Sequence, residues 1–193
     1  MEQIKLLYEK YIKDNTFVYK SCQKYVIILQ KLHDTVTNEN RTMVKDSNYA
    51  IFCANKLLVV EIFNKLVPYE TINKISNKSF LNNMTYEKGK IIEVKKFDHW
   101  KTEYNMSYVD KYGINYYNTL EPAYYHKLNK YIDNVQIKNW YTTTGTIAET
   151  ITYENGTMIN YESWDTNGAK ITEASYDKNG DIIKFERYYN VST

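Results

Sequence analysis

The chain has 193 residues and a mass of 23.0 kDa, enough for one domain or two small ones sharing a core. Hydrophobic residues at 43% and charged residues at 25% exclude disorder throughout, because that much apolar surface offsets the cost of ordering the chain. A net charge of +2, from 25 basic and 23 acidic residues, excludes a general electrostatic pull toward nucleic acid or anionic lipid.

The first residues, Met1 to Asn15, lack the uninterrupted apolar stretch of an export signal. No segment approaches the roughly 20 apolar residues of a membrane span, so an intracellular protein without a transmembrane segment is expected. Ile4, Leu7, Tyr8, Tyr11 and Ile12 recur at helical spacing. Asp14-Asn15-Thr16 then reads as an N-cap cluster. After it, Val18, Cys22, Tyr25, Val26, Leu29, Leu32 and Val36 fall on one helical stripe, with Lys20, Gln23, Lys24, Gln30, Lys31 and Asp34 opposite. The spacing predicts a helical pair over 2–13 and 16–36, packed on the following sheet or on a second copy. Residues 37–47 are polar and unpatterned and mark a boundary.

From Tyr49 the pattern changes to strands. Tyr49 to Phe63 reads as strand, a turn at Asn55-Lys56, and strand, with Leu57 to Phe63 apolar enough for a central position. Tyr69 to Ile75 reads as one or two helical turns. Met84 to Asp98 reads as a hairpin with Lys88-Gly89 at its turn, and Gly113 to Tyr117 as a strand. Thr119 then caps a short helix with Pro122 in its first turn, ending near Leu128.

The last segment is periodic. Glycines stand at 145, 156, 168 and 180, with gaps of 11, 12 and 12 residues. Each follows an aromatic residue: Tyr141, Tyr153, Trp164 and Tyr176, with Tyr188 opening a further unit. Asn155-Gly156, Asn167-Gly168 and Asn179-Gly180 are strong hairpin signals, since both residue types tolerate the positive φ of a two-residue turn. Ile159, Ile171 and Ile183 each lie three residues past a glycine and are expected to stack on one face of a meandering sheet. A unit this small cannot bury its own apolar face, so neighbouring units must stack.

Residues 138–190 resemble MORN-type repeats of the toxin–antitoxin variant. A second glycine that is frequent after the turn in that family is replaced here by Asn160, Thr172 and Lys184. Residues 48–128 have a second resemblance. Tyr49 to Lys56, then Gly89-Lys90-Ile91-Ile92 with Phe97-Asp98, then Gly113 to Tyr117 with Ala123-Tyr124-Tyr125, is similar in order to a domain of unknown function in giant-virus (mimivirus-like) proteins. There the third block usually carries His where this chain has Asn115. Together these resemblances imply a viral protein that carries a repeat module and no transferable activity.

Several chemistries are not supported. His33, His99 and His126 are far apart, no Cys/His cluster has ligand spacing, and neither a metal nor another cofactor is expected. Cys22 and Cys53 read as two buried reduced thiols, and a Cys53 dyad with His99 or His126 stays open. No Gly-rich phosphate loop and no Gly-x-Ser-x-Gly elbow is present. Gly113 to Tyr117 and the helix after it also resemble the Gly-Ile-Tyr-Phe strand and following helix of ADP-ribosyltransferases.

The expected fold is α+β: an N-terminal helical segment (1–36), a central mixed sheet (48–128) and a C-terminal antiparallel meander (138–190). The expected function is non-enzymatic, a protein-interaction or structural role with a protein partner or self-association. Tyr141, Tyr153, Tyr161, Trp164, Tyr176 and Tyr188 are the candidate binding residues. The alternative is an ADP-ribosyltransferase-like enzyme, degenerate or active, with a central site at His99, Asn115 and Tyr116. Tyr and Lys are accompanied by acids throughout, so no case arises for nucleic acid, and the absence of a basic amphipathic helix argues against a membrane surface.

Overall fold

A computed structural model of the chain describes residues 1–78, 83–95, 97 and 113–189. Of these described residues 46% are strand and 11% helix, in three antiparallel sheets, so the fold is mostly β rather than α+β. Helix is confined at the N-terminus to α1 (Glu2–Leu7) and α2 (Glu9–Ile12), within the first predicted helix. The second predicted helix, 16–36, is instead a hairpin: β1 (Phe17–Cys22) and β2 (Tyr25–Gln30) pair around Gln23-Lys24, with Gln23 at φ 53. Asp14 accepts a bond from the Thr16 amide and leads into a strand, not a helix.

The run Val26-Ile27-Ile28-Leu29 explains the miss. All four side chains are fully buried. A strand covered on both faces buries consecutive residues, and β-branched residues favour it. Ile27 and Leu29 face one apolar cluster with Val18, Phe52, Leu57, Ile62 and Ile114. Val26 and Ile28 face another with Ile4, Tyr8, Phe63, Leu120 and Ala123. The apparent helical stripe merely sampled both sets.

Four further strands complete this sheet: β3 (Ile51–Ala54), β4 (Lys56–Asn64), β7 (Ile91–Glu93) and β8 (Ile114–Tyr117), in the order β3-β8-β1-β2-β4-β7. Every pairing is antiparallel, which corrects the expected mixed sheet. β3 and β4 do not pair across Asn55-Lys56 as expected. They stand four strand spacings apart in the sheet, roughly 19 Å if flat, yet Ala54 and Lys56 are at most about 7 Å apart along the chain. The sheet must therefore curl into a barrel, with Asn55 as the corner. A bulge where β4 meets Ile28/Leu29 shifts its side-chain parity, so Leu57, Val59 and Ile62 all reach the interior while Phe63 points out. α1 and α3 (Leu120–Tyr125) cover the outer face, with Tyr8 stacked on Phe63 at 4.2 Å. Thr119 stands at the N-cap position of α3, although its hydroxyl donates to Asn48 O. A 3-10 turn, Leu128–Lys130, follows α3.

β5 (Lys74–Lys78) pairs with β6 (Asn83–Glu87) in a two-stranded sheet, whose Ile75 and Tyr86 plug the barrel interior. β5 replaces part of the helical turns expected from Tyr69 to Ile75. β6 and β7 flank the Lys88-Gly89 turn but pair with β5 and β4 respectively, so the expected hairpin there is not formed.

The meander consists of β9 (Val135–Trp140), β10 (Ile147–Glu154), β11 (Thr157–Trp164), β12 (Lys170–Tyr176) and β13 (Ile182–Arg187), in sequential antiparallel order. Asn155-Gly156 makes the expected two-residue turn, with both residues at positive φ. The next two turns are longer. Asp165 and Asp177 each accept amide hydrogens two and four residues on, and only the glycine takes positive φ.

The expected isoleucine stack is replaced by a repeated bulge. Pairing skips Ala148, Ile159, Ile171 and Ile183, each three residues past its glycine. The turn between β9 and β10 docks the meander on the barrel. Lys45 and Asp46 amides donate to Thr144 O, the Ile51 amide donates to Thr142 O, and the Arg41 guanidinium reaches Thr142 O and Thr143 O. Tyr49 and Trp140 stack at 4.7 Å beside it. Residues 37–47, expected as a boundary, thus hold part of this joint.

Candidate functional site

Two regions gather groups that the fold itself does not consume. The first is the free end of the meander. Ile137, Ile151, Tyr161, Ala174 and Phe185 are direct cross-strand partners, forming an apolar row over all five strands. Ile137 and Ala174 are buried at 2% exposure, whereas Phe185 at the end of the row is 57% exposed. On the opposite face Glu162, Glu173 and Glu186 are also direct partners. Like charges so placed repel. Lys170 relieves this by bridging Glu162 and Glu173 at 3.0 Å from the latter, and Lys184 by bridging Glu173 (2.9 Å) and Glu186 (3.3 Å). Bonding to Lys184 and Lys170 draws the Glu173 carboxyl down to about 2. Both row and ladder end at β13, whose six residues are all exposed and which pairs only with β12 among the described residues.

The predicted aromatic residues sit differently. Tyr141 donates to Trp164 O (2.7 Å), joining the first and third turns of the meander, which lie at the same end of the sheet. Tyr153 accepts from the Asn129 amide (3.2 Å), and Tyr161 is the middle of the apolar row. Trp164 lies under the Lys170 ammonium at 5.7 Å, and Tyr176 ends β12. These five are half-buried. Tyr188 is exposed and donates to Glu186 (2.6 Å).

The second region is a cleft at the barrel mouth, formed by the end of β1, by β8 and by the turn after α3. Asn115 lines it. Tyr116, its predicted companion, is a core residue at 1% exposure whose hydroxyl donates to Glu39 at 2.6 Å. His99 lies outside the described residues. The structure adds groups absent from the sequence-based expectation. Lys65, 2% exposed, donates from Nζ to Ser21 Oγ and to His126 O, both at 2.8 Å. Burial drives its ammonium down to about 7, and nearby Lys127 adds to the drop. Burial also pushes the His126 imidazole down to about 4, helped by Lys65, Lys127, Lys20 and Lys130. A lysine in the largely apolar segment Ile62 to Val67, next to Asn64, was the one sequence signal for this region.

Cys22 and Cys53 are buried thiols in β1 and β3, and burial raises the Cys22 thiol. Among the described residues no group of three His, Cys, Asp or Glu gathers to hold a metal ion. None of the described helices is long and apolar enough to cross a membrane. Comparison with protein-family models, curated proteins and solved structures finds no significant match.

Proposed function

We propose that this protein is a non-enzymatic assembly module that self-associates through the free edge of its C-terminal meander. The occupant of that edge is β13 of a second copy, antiparallel and centred on Phe185. The carrying observation is that an apolar row and a charge ladder both run across the sheet and stop at an exposed strand. An unpaired edge offers a row of backbone donors and acceptors to another strand. In the register centred on Phe185, Phe185 meets Phe185, extending the apolar row. Lys184 of each copy meets Glu186 of the other, so the next rung of the ladder is supplied twice. A two-fold axis through the pair keeps both faces continuous, as isologous contacts require. The resemblance of residues 138–190 to MORN-type repeats is consistent with a sheet that grows by adding strands. The enzyme alternative has less support, because it leans on Asn115 and Tyr116 and the second is packed in the core.

The test is light scattering behind a sizing column on the full chain and on three charge variants. The full chain is expected to form dimers, and Lys184→Glu and Glu186→Lys are each expected to be monomers. An equimolar mixture of the two variants recovers dimers, since each supplies the charge that the other lacks, and Lys184→Glu/Glu186→Lys recovers them alone. A full chain that stays monomeric up to its solubility limit, or a mixture that stays monomeric, sinks the proposal.

A further inference from the structure

The cleft at the barrel mouth has a composition that self-assembly through β13 does not use. Lys20, Ser21, Asn115, His126, Lys127 and Lys130 line a space of ≈ 420 Å³. Behind them Lys65 is buried, with only a hydroxyl and a carbonyl as side-chain partners. Among the described residues no carboxylate pairs with Lys65, Lys127 or Lys130. Lys31, Lys56, Lys88 and Lys170, by contrast, each have an acidic partner. A buried ammonium without a counter-ion is costly, and an anion in the cleft would relieve that cost.

The donors suit a phosphoryl group. Lysine presents a compact charge with three donors, and phosphate offers several oxygens to cations arriving from different elements. Ser21 Oγ already accepts from Lys65, so its own hydrogen is the part left to give. Its present acceptor, His126 O, is remote at 3.5 Å. Lys127 is held at φ 56, a conformation lysine rarely takes, directly after α3. The cleft is far larger than one phosphate and lies in the size range of pockets for organic ligands. Tyr131 and Asn77 on its lining supply an aromatic ring and an amide for the rest of such a molecule. The near-neutral chain gives no extended basic track for a nucleic-acid strand.

We propose that this cleft binds a nucleotide-sized phosphomonoester. Lys127 and Lys130 meet its phosphate at the mouth, Ser21 donates a hydrogen bond, and Lys65 is the buried counter-charge behind them.

The experiment is calorimetric titration of the full chain with AMP, adenosine, ribose 5-phosphate and inorganic phosphate. The His126 ring signals are followed by NMR in parallel and assigned with His126→Gln. AMP is expected to bind at one site per chain, adenosine not at all, and Lys127→Gln/Lys130→Gln to weaken AMP by roughly tenfold or more. The His126 ring is expected to titrate at higher pH once the anion offsets the surrounding lysines. Both lysines are exposed, so this variant tests binding without risking the fold. Failure of AMP, ribose 5-phosphate and inorganic phosphate alike to bind overturns the site, as does equal binding of AMP and adenosine. AMP binding that ignores the double variant also overturns it. Inorganic phosphate binding as tightly as AMP overturns the nucleotide-sized ligand.

Discussion

The barrel and the meander are built from the same kinds of residue and held together in different ways. Barrel strands have cover on both faces, so β2 buries Val26, Ile27, Ile28 and Leu29 in succession. The meander is a single layer in which Ile137 and Ala174 are the buried apolar residues. Its shape rests on turns that bond to their own aspartates, on cross-strand pairs, and on one docked turn at Thr142 to Thr144. Burial specifies the first region, and local backbone chemistry specifies the second. Substitutions that remove volume should therefore injure the barrel, and those that alter turns should injure the meander.

The largest expected effect tests the first half of that contrast. Phe52→Ala empties a fully buried site in β3 and should cost about 3–5 kcal/mol. Phe185→Ala removes the same ring from a strand where it is 57% exposed and should stay within about 0.5 kcal/mol in the monomer. Urea unfolding of the full chain at low concentration measures both. Similar losses at the two positions would abolish the distinction.

Acid should separate the regions next. The unfolded His126 ring takes a proton near its ordinary 6.5, whereas the folded ring resists until about 4, because of burial and the surrounding lysines. Between these values the unfolded chain binds the extra proton, so stability falls as pH drops from 6.5 to 4, on the order of 3 kcal/mol. Lys65 has the same sign at higher pH, with stability rising from about 7 toward 10.5. In the meander, Asp165 and Asp177 are lowered by amide bonds from their turns. Their contribution is present above the ordinary value of 3.8 and is lost only as pH falls below it. Denaturant midpoints measured from pH 8 to 3 should show the barrel weakening first. His126→Gln should flatten the segment from 6.5 to 4 and leave the rest, and a slope unchanged by that substitution would assign the acid loss elsewhere.

The joint comes third. Gly145 has φ 78, and a Cβ there would stand 1.9 Å from Asp46 O and 2.8 Å from the Ala50 amide nitrogen. Gly145→Ala must therefore push the turn away from residues 45–51 as well as strain its backbone, a loss of about 2 kcal/mol or more. Hydrogen exchange locates the damage: the Lys45, Asp46 and Ile51 amides, which donate into this turn, should lose protection while the β1–β2 amides keep theirs. Uniform loss across both regions would mean that they unfold as one unit.

The two regions were not equally legible in the sequence. The meander announced itself because its determinants are local: an Asn-Gly or Asp-x-Asn-Gly turn is written in consecutive residues. Only its finer geometry was hidden, since the bulge after each glycine depends on which cross-strand partner is skipped. The barrel was hidden because its determinants are tertiary. Val18 to Val36 fits a helical stripe until two separate covers, one inside the barrel and one from α1 and α3, explain why Ile27 and Ile28 are both buried. The break at Asn55 looked like a hairpin because nothing local distinguishes a turn from a barrel corner. The candidate residues follow the same rule. Aromatic residues before each glycine are visible in the sequence, and of these Tyr141 bonds to another unit, at Trp164 O. Lys184 and Glu186 become a ladder only once β12 lies beside them, and Lys65 and His126 meet only after folding joins the end of β4 to the end of α3.

The smallest effect sharpens the comparison most. Gly168 has φ 89, like Gly145 in the left-handed region, but a Cβ there would find nothing within 4 Å. Gly168→Ala thus imposes the backbone cost alone, about 1 kcal/mol. The difference between the Gly145 and Gly168 variants isolates what docking contributes, because the intrinsic conformational penalty is common to both. If turns specify the meander, the Gly168 cost should appear as local loss of protection at the Ala169 and Asn167 amides, which bond to Asp165. If the cost appears instead as a lower unfolding midpoint for the whole chain with no local change, the meander and barrel unfold cooperatively, and the docked turn, rather than the chemistry of each hairpin, sets the stability of the repeat sheet.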